Sequence, residues 1–269
     1  MKREGGFGGA MAEHRFGGDA FPAVVGHRGA SSTHPENTLS SFEAALALGA
    51  HIIELDVRLS ADGVPVVMHD ADVSRTTDGR GLVRDLTVEE ISRLNAGTPE
   101  RPAKVPTLSD VLALVSGRGA VALEIKNIPG EPGYDAERET IVEAALAEVD
   151  RVAFDGAVLV LSFNPRSIAA ARRIAPGMPT GFLTTRAVEP RDALAHALEA
   201  GHDFVLPGTW ALIPAGEAFV REAHAAGVRV GTWTVDDPET VRMLFDWGID
   251  AVASNDPGMA AGVLARWRG

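Results

Sequence analysis

Two carboxylates occupy alternate positions in a short apolar run, His51–Val57, which reads HIIELDV. Successive side chains of a strand point to opposite faces, so Glu54 and Asp56 would share one face while the apolar residues occupy the other. Acidic side chains are rarely buried unless they are paired or hold a metal. The spacing therefore predicts either a solvent-facing stripe on an edge strand or a pair of oxygen ligands.

A third carboxylate follows the same pattern in a later run, Val121–Lys126, where Glu124 and Lys126 stand at alternate positions. Three carboxylates aimed at one point would repel one another unless a cation lies between them. Because the ligands are all oxygens, the set of Glu54, Asp56 and Glu124 favours Mg²⁺ or Ca²⁺ over Zn²⁺. The alternative for Lys126 is a simple ion pair with Glu124.

Residues suited to moving protons and holding an anion lie near other predicted strand ends. His27 and Arg28 end the first strand, and His69 and Asp70 follow the run VPVVM. Histidines can serve as acid and base near neutral pH. Taken alone, each histidine is more often a surface or satisfied core residue. Together with Arg28, Lys126 and a cation, the two histidines describe a phosphoester site.

Further polar or aromatic residues also end predicted strands, and each keeps a structural alternative. Trp233 either fills the interior of the fold or lines the wall of a site. For Asn164 and Asn255, which lie close to Ser162 and Ser254, the alternative is a helix cap or a turn residue. The chain has no G-x-S-x-G elbow, so a serine hydrolase mechanism has no support.

The elements that would position these residues alternate between strand and helix from residue 23 onward. The pattern predicts eight strands, each followed by helix, and strands buried on both faces read as apolar runs, as these mostly do. Eight such units predict an α/β fold, a (β/α)₈ TIM barrel with its active site at the carboxyl ends of the strands. An open doubly wound sheet is the alternative, but no G-x-G-x-x-G or P-loop follows any strand.

Helix signals divide the chain further. Pro35–Leu48, Ala136–Val149 and Gly216–Ala226 are predicted as helices, and Pro after Asp or Asn marks three more starts at 165, 238 and 257. Residues of about 59–106 are less regular and are predicted to form a small insertion after strand two. We expect residues 1–21 to be a flexible tail and residues 22–269 to form the barrel domain.

Composition limits the function. The chain has 269 residues, no cysteine and a formal net charge of −12. The absence of cysteine excludes disulfides and thiolate sites, and the negative charge disfavours nucleic-acid binding. No segment is long enough to span a membrane, which predicts a cytoplasmic protein without stable membrane insertion. The sequence does not indicate an oligomeric state.

Several segments, in this order, resemble those of the glycerophosphodiester phosphodiesterases. They are HRGASSTHPENTLSSFEAAL, ELDVRLSADGVPVVMHDADVSRTTDGRG, VPTLSDVL, LEIKN, SFN, TWTVDD and GIDAVASNDPG. The likeness runs from about residue 24 to the end, and the HRG…PENT, E-x-D and HD segments together are highly specific. It implies a TIM barrel related to phosphatidylinositol-specific phospholipase C.

The resemblance also implies roles. A divalent metal would lie on Glu54, Asp56 and Glu124, and His27 and His69 would be the acid/base pair. Arg28 and Lys126 would hold the phosphate, and Trp233 would line the wall against the glycerol or alcohol group. Asp70 is a weaker candidate for a further metal ligand from the insertion.

The chain departs from the family at the last strand end, where members often have Asp and this chain has Asn255. We expect this change to affect pocket polarity without touching the residues above.

These features predict metal-dependent cleavage of small glycerophosphodiesters to sn-glycerol 3-phosphate and an alcohol. One alternative is a lysophospholipase D-like enzyme acting on lipid, for which the sequence shows no basic amphipathic helix or exposed aromatic run. The other is a barrel that binds a phosphorylated metabolite without turnover, which predicts the loss of acid/base or metal groups.

Overall fold

The computed structural model describes residue 16 and residues 21–269, and their strands close into a barrel. Eight parallel strands form the barrel and one short strand pairs antiparallel outside it, which confirms the predicted (β/α)₈ fold. The nine strands of the described residues are β1 (Ala23–His27), β2 (Ile52–Leu59), β3 (Pro65–Val67), β4 (Ala120–Ile125), β5 (Val158–Ser162), β6 (Thr180–Leu183), β7 (Phe204–Leu206), β8 (Arg229–Thr232) and β9 (Ala251–Ser254).

Closure of the barrel brings its first strand beside both the second and the last. In β1, Val25 pairs with Ile52 of β2 and with Ala253 of β9. The strands are almost wholly buried because helices cover their outer faces and side chains occupy the interior. The first and last segments of the barrel therefore contribute side chains to one mouth.

The helices of the described residues cover the outside of the barrel, and short polar caps begin many of them. Asn164, Asp237 and Asp256 each accept a hydrogen bond from the first turn and precede a proline, as predicted. The helices are α1 (Leu39–Ala47), α2 (Val88–Ser92), α3 (Leu108–Val115), α4 (Thr140–Arg151), α5 (Pro165–Ile174), α6 (Pro190–Ala200), α7 (Thr209–Ala225), α8 (Pro238–Asp246) and α9 (Pro257–Arg268).

The segment between β2 and α3 lies over the carboxyl ends of the first strands. It contains β3, two 3₁₀ turns and α2, and it has a small apolar core of its own that includes Val66, Val73 and Ile91. The backbone N–H of Met68 donates to the carbonyl of Asp56 over 2.9 Å. This pairing places the residue that follows, His69, beside the barrel mouth.

The predicted start of the first helix at Pro35 is wrong, because α1 begins at Leu39. Asn37 adopts a left-handed backbone conformation with a φ of 58°, which a continuous helix does not tolerate. Its side chain instead donates to Asp56 over 2.7 Å, and Thr38 caps the helix. The PENT segment is thus a turn that supports the site.

Two other predicted helix starts have different outcomes. The helix predicted from Ala136 begins only at Thr140, because the Asp135 side chain accepts from the N–H groups of the two residues after Ala136 and forms a turn there. The stretch labelled α7 begins at Thr209, but Gly216 is non-helical with a φ of 72° and divides it into two helical segments, so a helix does begin at this glycine as predicted.

The predicted flexible tail, residues 1–21, lies outside the described residues except for Phe16 and Phe21. Among the residues that the structure describes, no helix combines the length and the apolar character needed to cross a membrane.

His202 should make the stability of the barrel depend on pH. Burial, followed by the nearby His196 and Arg172, lowers the pKa of this side chain to about 4. In the unfolded chain the imidazole of His202 takes up a proton near pH 6.5, whereas in the folded protein it does so only near pH 4. The contribution of neutral His202 to the free energy of unfolding is therefore fully present above pH 6.5 and is lost as the pH falls from 6.5 to 4. The loss is complete once the pH falls below the pKa of the folded state, about 4.

Urea unfolding at pH 7 and pH 5 checks this dependence. The difference between the two pH values should be smaller in His202→Gln than in the wild type, because the variant lacks the titrating group. An equal difference in both proteins would show that His202 does not carry the effect.

Candidate active site

A cavity of about 240 Å³ opens at the carboxyl ends of the barrel strands. Charged residues line one side of it and apolar residues line the other. The charged side contains six of the residues predicted from the sequence, namely His27, Arg28, Glu54, His69, Glu124 and Lys126.

Three carboxylates meet beside this cavity. Asp56 of β2 pairs in register with Glu124 of β4, and Glu54 lies two residues earlier on the same face. Each offers an oxygen, and these oxygens lie within 4.8 Å of one another. All three side chains are buried. The structure therefore brings together the predicted ligand set, and it does not place it on an exposed edge strand.

Fixed positive groups partly balance these carboxylates. The Lys126 ammonium lies 2.9 Å from Asp56 and also contacts Glu124, as the alternative for this lysine suggested. Arg28 lies 3.2 Å from Asp56 through its side-chain Nε, and its backbone N–H donates to Glu54 over 2.9 Å. Two cations thus face three carboxylates within one buried cluster.

The balance is uneven within the cluster. Although burial alone would raise it, Lys126 and Arg28 hold the pKa of Asp56 well below its usual range. Burial raises the pKa of Glu54, and the negative charges of Asp56 and Glu124 raise it further. Among the described residues, the Oε1 atom of Glu54 has no hydrogen-bond partner although it is buried. A divalent cation with oxygen ligands fits this unpaired atom and this excess of negative charge.

His27 is held by the residue that departs from the family pattern. Its Nδ1 atom lies 2.8 Å from the Oδ1 atom of Asn255, so the expectation that Asn255 touches no site residue is wrong. The Asn255 amide in turn donates to Asp236 over 2.6 Å, and Ser31 donates to the same Asn255 oxygen over 2.8 Å. Burial, and next the Arg28 charge, lower the pKa of His27.

His69 has a different partner, the neighbouring Asp70, whose Oδ1 lies 2.6 Å from its Nδ1. Although burial opposes it, Arg75 and His69 lower the pKa of Asp70 to about 2. Arg75 also binds Glu36 at 2.7 Å, and Glu36 binds Arg28 at 3.0 Å. Ion pairs thus join the insertion to the barrel. Asp70 takes part in these ion pairs and does not belong to the group formed by the three carboxylates.

The remaining predicted site residue, Trp233, lies directly after β8 and lines the cavity. Its indole N–H donates to the carbonyl of Leu206 over 3.0 Å. Its ring contacts Phe163 and Trp210 edge to face, with centroids 5.4 and 4.8 Å apart. Trp233 is therefore a fixed part of the cavity wall.

Other polar residues at strand ends have structural partners. Ser162 donates to the carbonyl of Ile125, and Asn164 caps α5 and donates to the carbonyl of Asn127. Ser254 donates to Asp236 over 3.0 Å. The helix-cap alternative is therefore correct for Asn164, and it does not describe Asn255.

Sequence reasoning missed the residues that support the site, namely Glu36, Asn37, Arg75 and Asp236. Glu36 and Asn37 belong to the PENT segment, which predicted only a helix start. Asp236 lies in the TWTVDD segment, but its distance in sequence from residue 27 gave no sign of the contact through Asn255. The only sequence feature that could have indicated these supporting residues is their polar character in loops beside strand ends, where functional groups concentrate.

The fold and this site together define a parallel-barrel enzyme with a buried acidic cluster and two flanking histidines. A family model described as the glycerophosphoryl diester phosphodiesterase family matches residues 27–259.

A glycerophosphodiester phosphodiesterase of Caldanaerobacter subterraneus is 35% identical to this chain over 239 residues, which cover 87% of this chain and 94% of that protein. A solved phosphodiesterase of Oleispira antarctica, in complex with the product sn-glycerol-3-phosphate, is 27% identical with a TM-score of 0.81 and covers 91% and 97% of the two chains. A solved glycerophosphodiester phosphodiesterase of Agrobacterium tumefaciens is 27% identical with a TM-score of 0.74, covering 89% and 99%.

The chain therefore belongs to the glycerophosphoryl diester phosphodiesterase family. It is an enzyme of the phosphoric diester hydrolase class.

Cation binding at the acidic cluster should be measurable as heat stability. A ligand that binds only the folded state raises Tm, so Mg²⁺ or Ca²⁺ added after chelation should raise the Tm of the wild type. Glu124→Gln removes one charged ligand and keeps an oxygen for Lys126, so most of the shift should be lost. Glu100→Gln, at an exposed position, is the matched control. An equal shift in all three proteins would place the cation elsewhere.

Proposed function

We propose that this protein hydrolyses glycerophosphodiesters to sn-glycerol 3-phosphate and an alcohol, with a divalent cation, Mg²⁺ or Ca²⁺, and two histidines. The observation that carries the proposal is the placement of His27 and His69 around one cavity with the acidic cluster. The Oleispira relative, which binds sn-glycerol-3-phosphate, supports the product. Both histidines and all three carboxylates are present, which argues against a barrel that only binds a metabolite.

The charged side of the cavity suits a phosphodiester. Glu54, Asp56 and Glu124 would hold the cation, which when bound offsets negative charge that develops on the phosphate. Arg28 offers a planar fork that can bind phosphate oxygens, and Lys126 adds a second fixed positive charge. The side chains of Arg28 and Lys126 already contact carboxylates, so these two positive groups are held in place before substrate arrives.

The contacts of Asn255 determine which nitrogen of His27 carries the proton. An amide N–H must face the Asp236 carboxylate, because an amide oxygen there would meet like charge. The amide oxygen of Asn255 therefore faces His27 and requires a proton on Nδ1. The Nε2 atom is then left with a lone pair for the substrate. Asp236 and Asn255 act as positioning residues in this scheme.

The chemistry needs one base and one acid. One histidine would take the proton from the glycerol hydroxyl next to the phosphate, and that oxygen would attack phosphorus. The bond from phosphorus to the alcohol oxygen would break, and the other histidine would protonate the leaving alcohol. Water would then open the cyclic phosphate, with the histidines in exchanged roles.

The cytoplasmic location stays a prediction from the sequence.

Removing either histidine should slow turnover severely. Positioned acid/base groups contribute about 10²–10⁴-fold, so His27→Ala and His69→Ala should each lose activity in that range while still binding substrate. The measurement is release of sn-glycerol 3-phosphate from glycerophosphoethanolamine with added Mg²⁺. His224→Ala, on the exposed end of α7, is the control. Near-normal turnover in both site variants would overturn the two-histidine mechanism.

Arg28→Lys should weaken catalysis although it keeps the charge, because an ammonium cannot bind two phosphate oxygens through a fork. The same assay should show a lower kcat/KM than in the wild type. Unchanged kinetics in this variant would mean that Arg28 does not bind phosphate and serves only its carboxylate partners.

Asp236→Asn should lower kcat at least about tenfold with little change in KM, because the Asn255 amide would lose its fixed orientation and His27 its preferred proton position. The ¹⁵N chemical shifts of the His27 ring should report a proton on Nδ1 in the wild type and a mixture in the variant. Asp237→Asn, which keeps the cap of α8, is the matched control. An unchanged ¹⁵N signature together with unchanged kcat would disprove this role of Asp236.

A further inference from the structure

The cavity at the barrel mouth has two chemically different halves. The charged half comes from β1, β2, β4 and the insertion. The other half comes from β5 to β9 and the residues that follow them, and it is almost wholly apolar; it includes Leu159, Leu161, Phe163, Leu183, Leu206 and Ala253. A phosphate held by the charged half would have one ester arm directed to the apolar half.

The apolar half offers almost no hydrogen-bonding partner to a substrate. Its two polar side chains are Thr232 and Trp233, and both already donate to backbone carbonyls, over 2.8 Å to Pro207 and 3.0 Å to Leu206. A hydroxyl or ammonium group buried there would lose its contacts with water and gain few in return. The arm that enters this half is therefore best matched by hydrocarbon.

The apolar half also extends below the acidic cluster into the barrel. Bulky branched side chains normally fill the interior of such a barrel in layers. Here small residues line the cavity instead, namely Gly231 and Ala251 in the apolar half and Ala122 of β4 below the acidic cluster. Phe204 forms its floor and packs on Phe21, with ring centroids 5.7 Å apart. The space is thus bounded below by aromatic rings and open toward the charged half.

We propose that the apolar half binds an alkyl arm on the alcohol side of the phosphodiester. This inference rests on the proposed function. The glycerol arm must present its hydroxyl to a histidine of the charged half, so the alcohol arm is the one left for the apolar half. The substrate class is then a glycerophosphodiester whose alcohol is aliphatic, in contrast to one whose alcohol is a small polar head group.

The volume limits the length of this arm. The whole cavity measures about 240 Å³, and the phosphate and the glycerol arm must share this space with the alcohol arm. Only part of it is therefore left for hydrocarbon, and a long fatty acyl chain would extend beyond it. The preferred alcohol is therefore a short or medium alkyl chain.

The experiment compares glycerophosphodiesters of methanol, butanol, octanol and hexadecanol, together with glycerophosphoethanolamine, by release of sn-glycerol 3-phosphate. Each buried methylene should raise kcat/KM about fourfold, until the gain stops once the chain has filled the apolar half. Hexadecanol should add nothing beyond octanol. A flat series, or preference for glycerophosphoethanolamine over the butanol diester, would overturn the inference. No release from any diester would instead overturn the proposed function.

Two variants of opposite effect locate the alkyl site. Ala253→Leu fills the apolar half, so it should reduce the ratio of octyl to methyl turnover at least tenfold. Leu183→Ala enlarges it and should move the optimum to longer chains. Ala225→Leu makes the same change as the first variant at an exposed position of α7 and should leave the ratio as in the wild type. Unchanged ratios in both folded cavity variants would show that the alkyl arm binds elsewhere.

Discussion

The site depends on the repulsion among three buried carboxylates. Glu54, Asp56 and Glu124 place oxygens within 4.8 Å of one another, where water cannot screen their charges. Arg28 and Lys126 offset this repulsion mainly at Asp56, and they leave Glu54 with a raised pKa and one oxygen without a partner among the described residues. A cluster assembled only for stability would pair every charge or replace it with apolar groups. The incomplete balance therefore favours a functional cation at this point.

Much of the surrounding structure serves to hold this cluster. The register of β2 and β4 places Asp56 opposite Glu124, and the left-handed turn at Asn37 fixes a donor on Asp56 before α1 begins. The ion pairs of Arg75 and Glu36 join the insertion to the same barrel face. Removing one partner would thus disturb both the charge balance and the position of His69, which explains why so many polar residues are buried at this end of the barrel.

The sequence predicted what depends on local periodicity and missed what depends on closure and volume. Alternation within a strand suffices to place Glu54 with Asp56, so the carboxylates were predictable. The contact of Asn255 with His27 was not, because it arises only when β9 pairs with β1 and brings Ser254 beside Gly26. The start of α1 was missed because the proline of PENT resembles the first residue of a helix, whereas Asn37 is held out of the helix by its contact with Asp56. The apolar half of the cavity was invisible in sequence because it depends on how small and large side chains from opposite strands meet.

The central claim is that the acidic cluster is kept for a cation at a cost in stability, and unfolding of Glu54→Gln tests it most directly. Glutamine keeps an oxygen for the Arg28 backbone N–H and removes the charge. In urea with a chelator present, the variant should be more stable than the wild type by about 1 kcal/mol or more, since it lacks an uncompensated buried charge. Saturating Mg²⁺ or Ca²⁺ should reverse this order. A variant that is less stable than the wild type under chelation would contradict the account, because Glu54 would then be a structural partner within a balanced cluster.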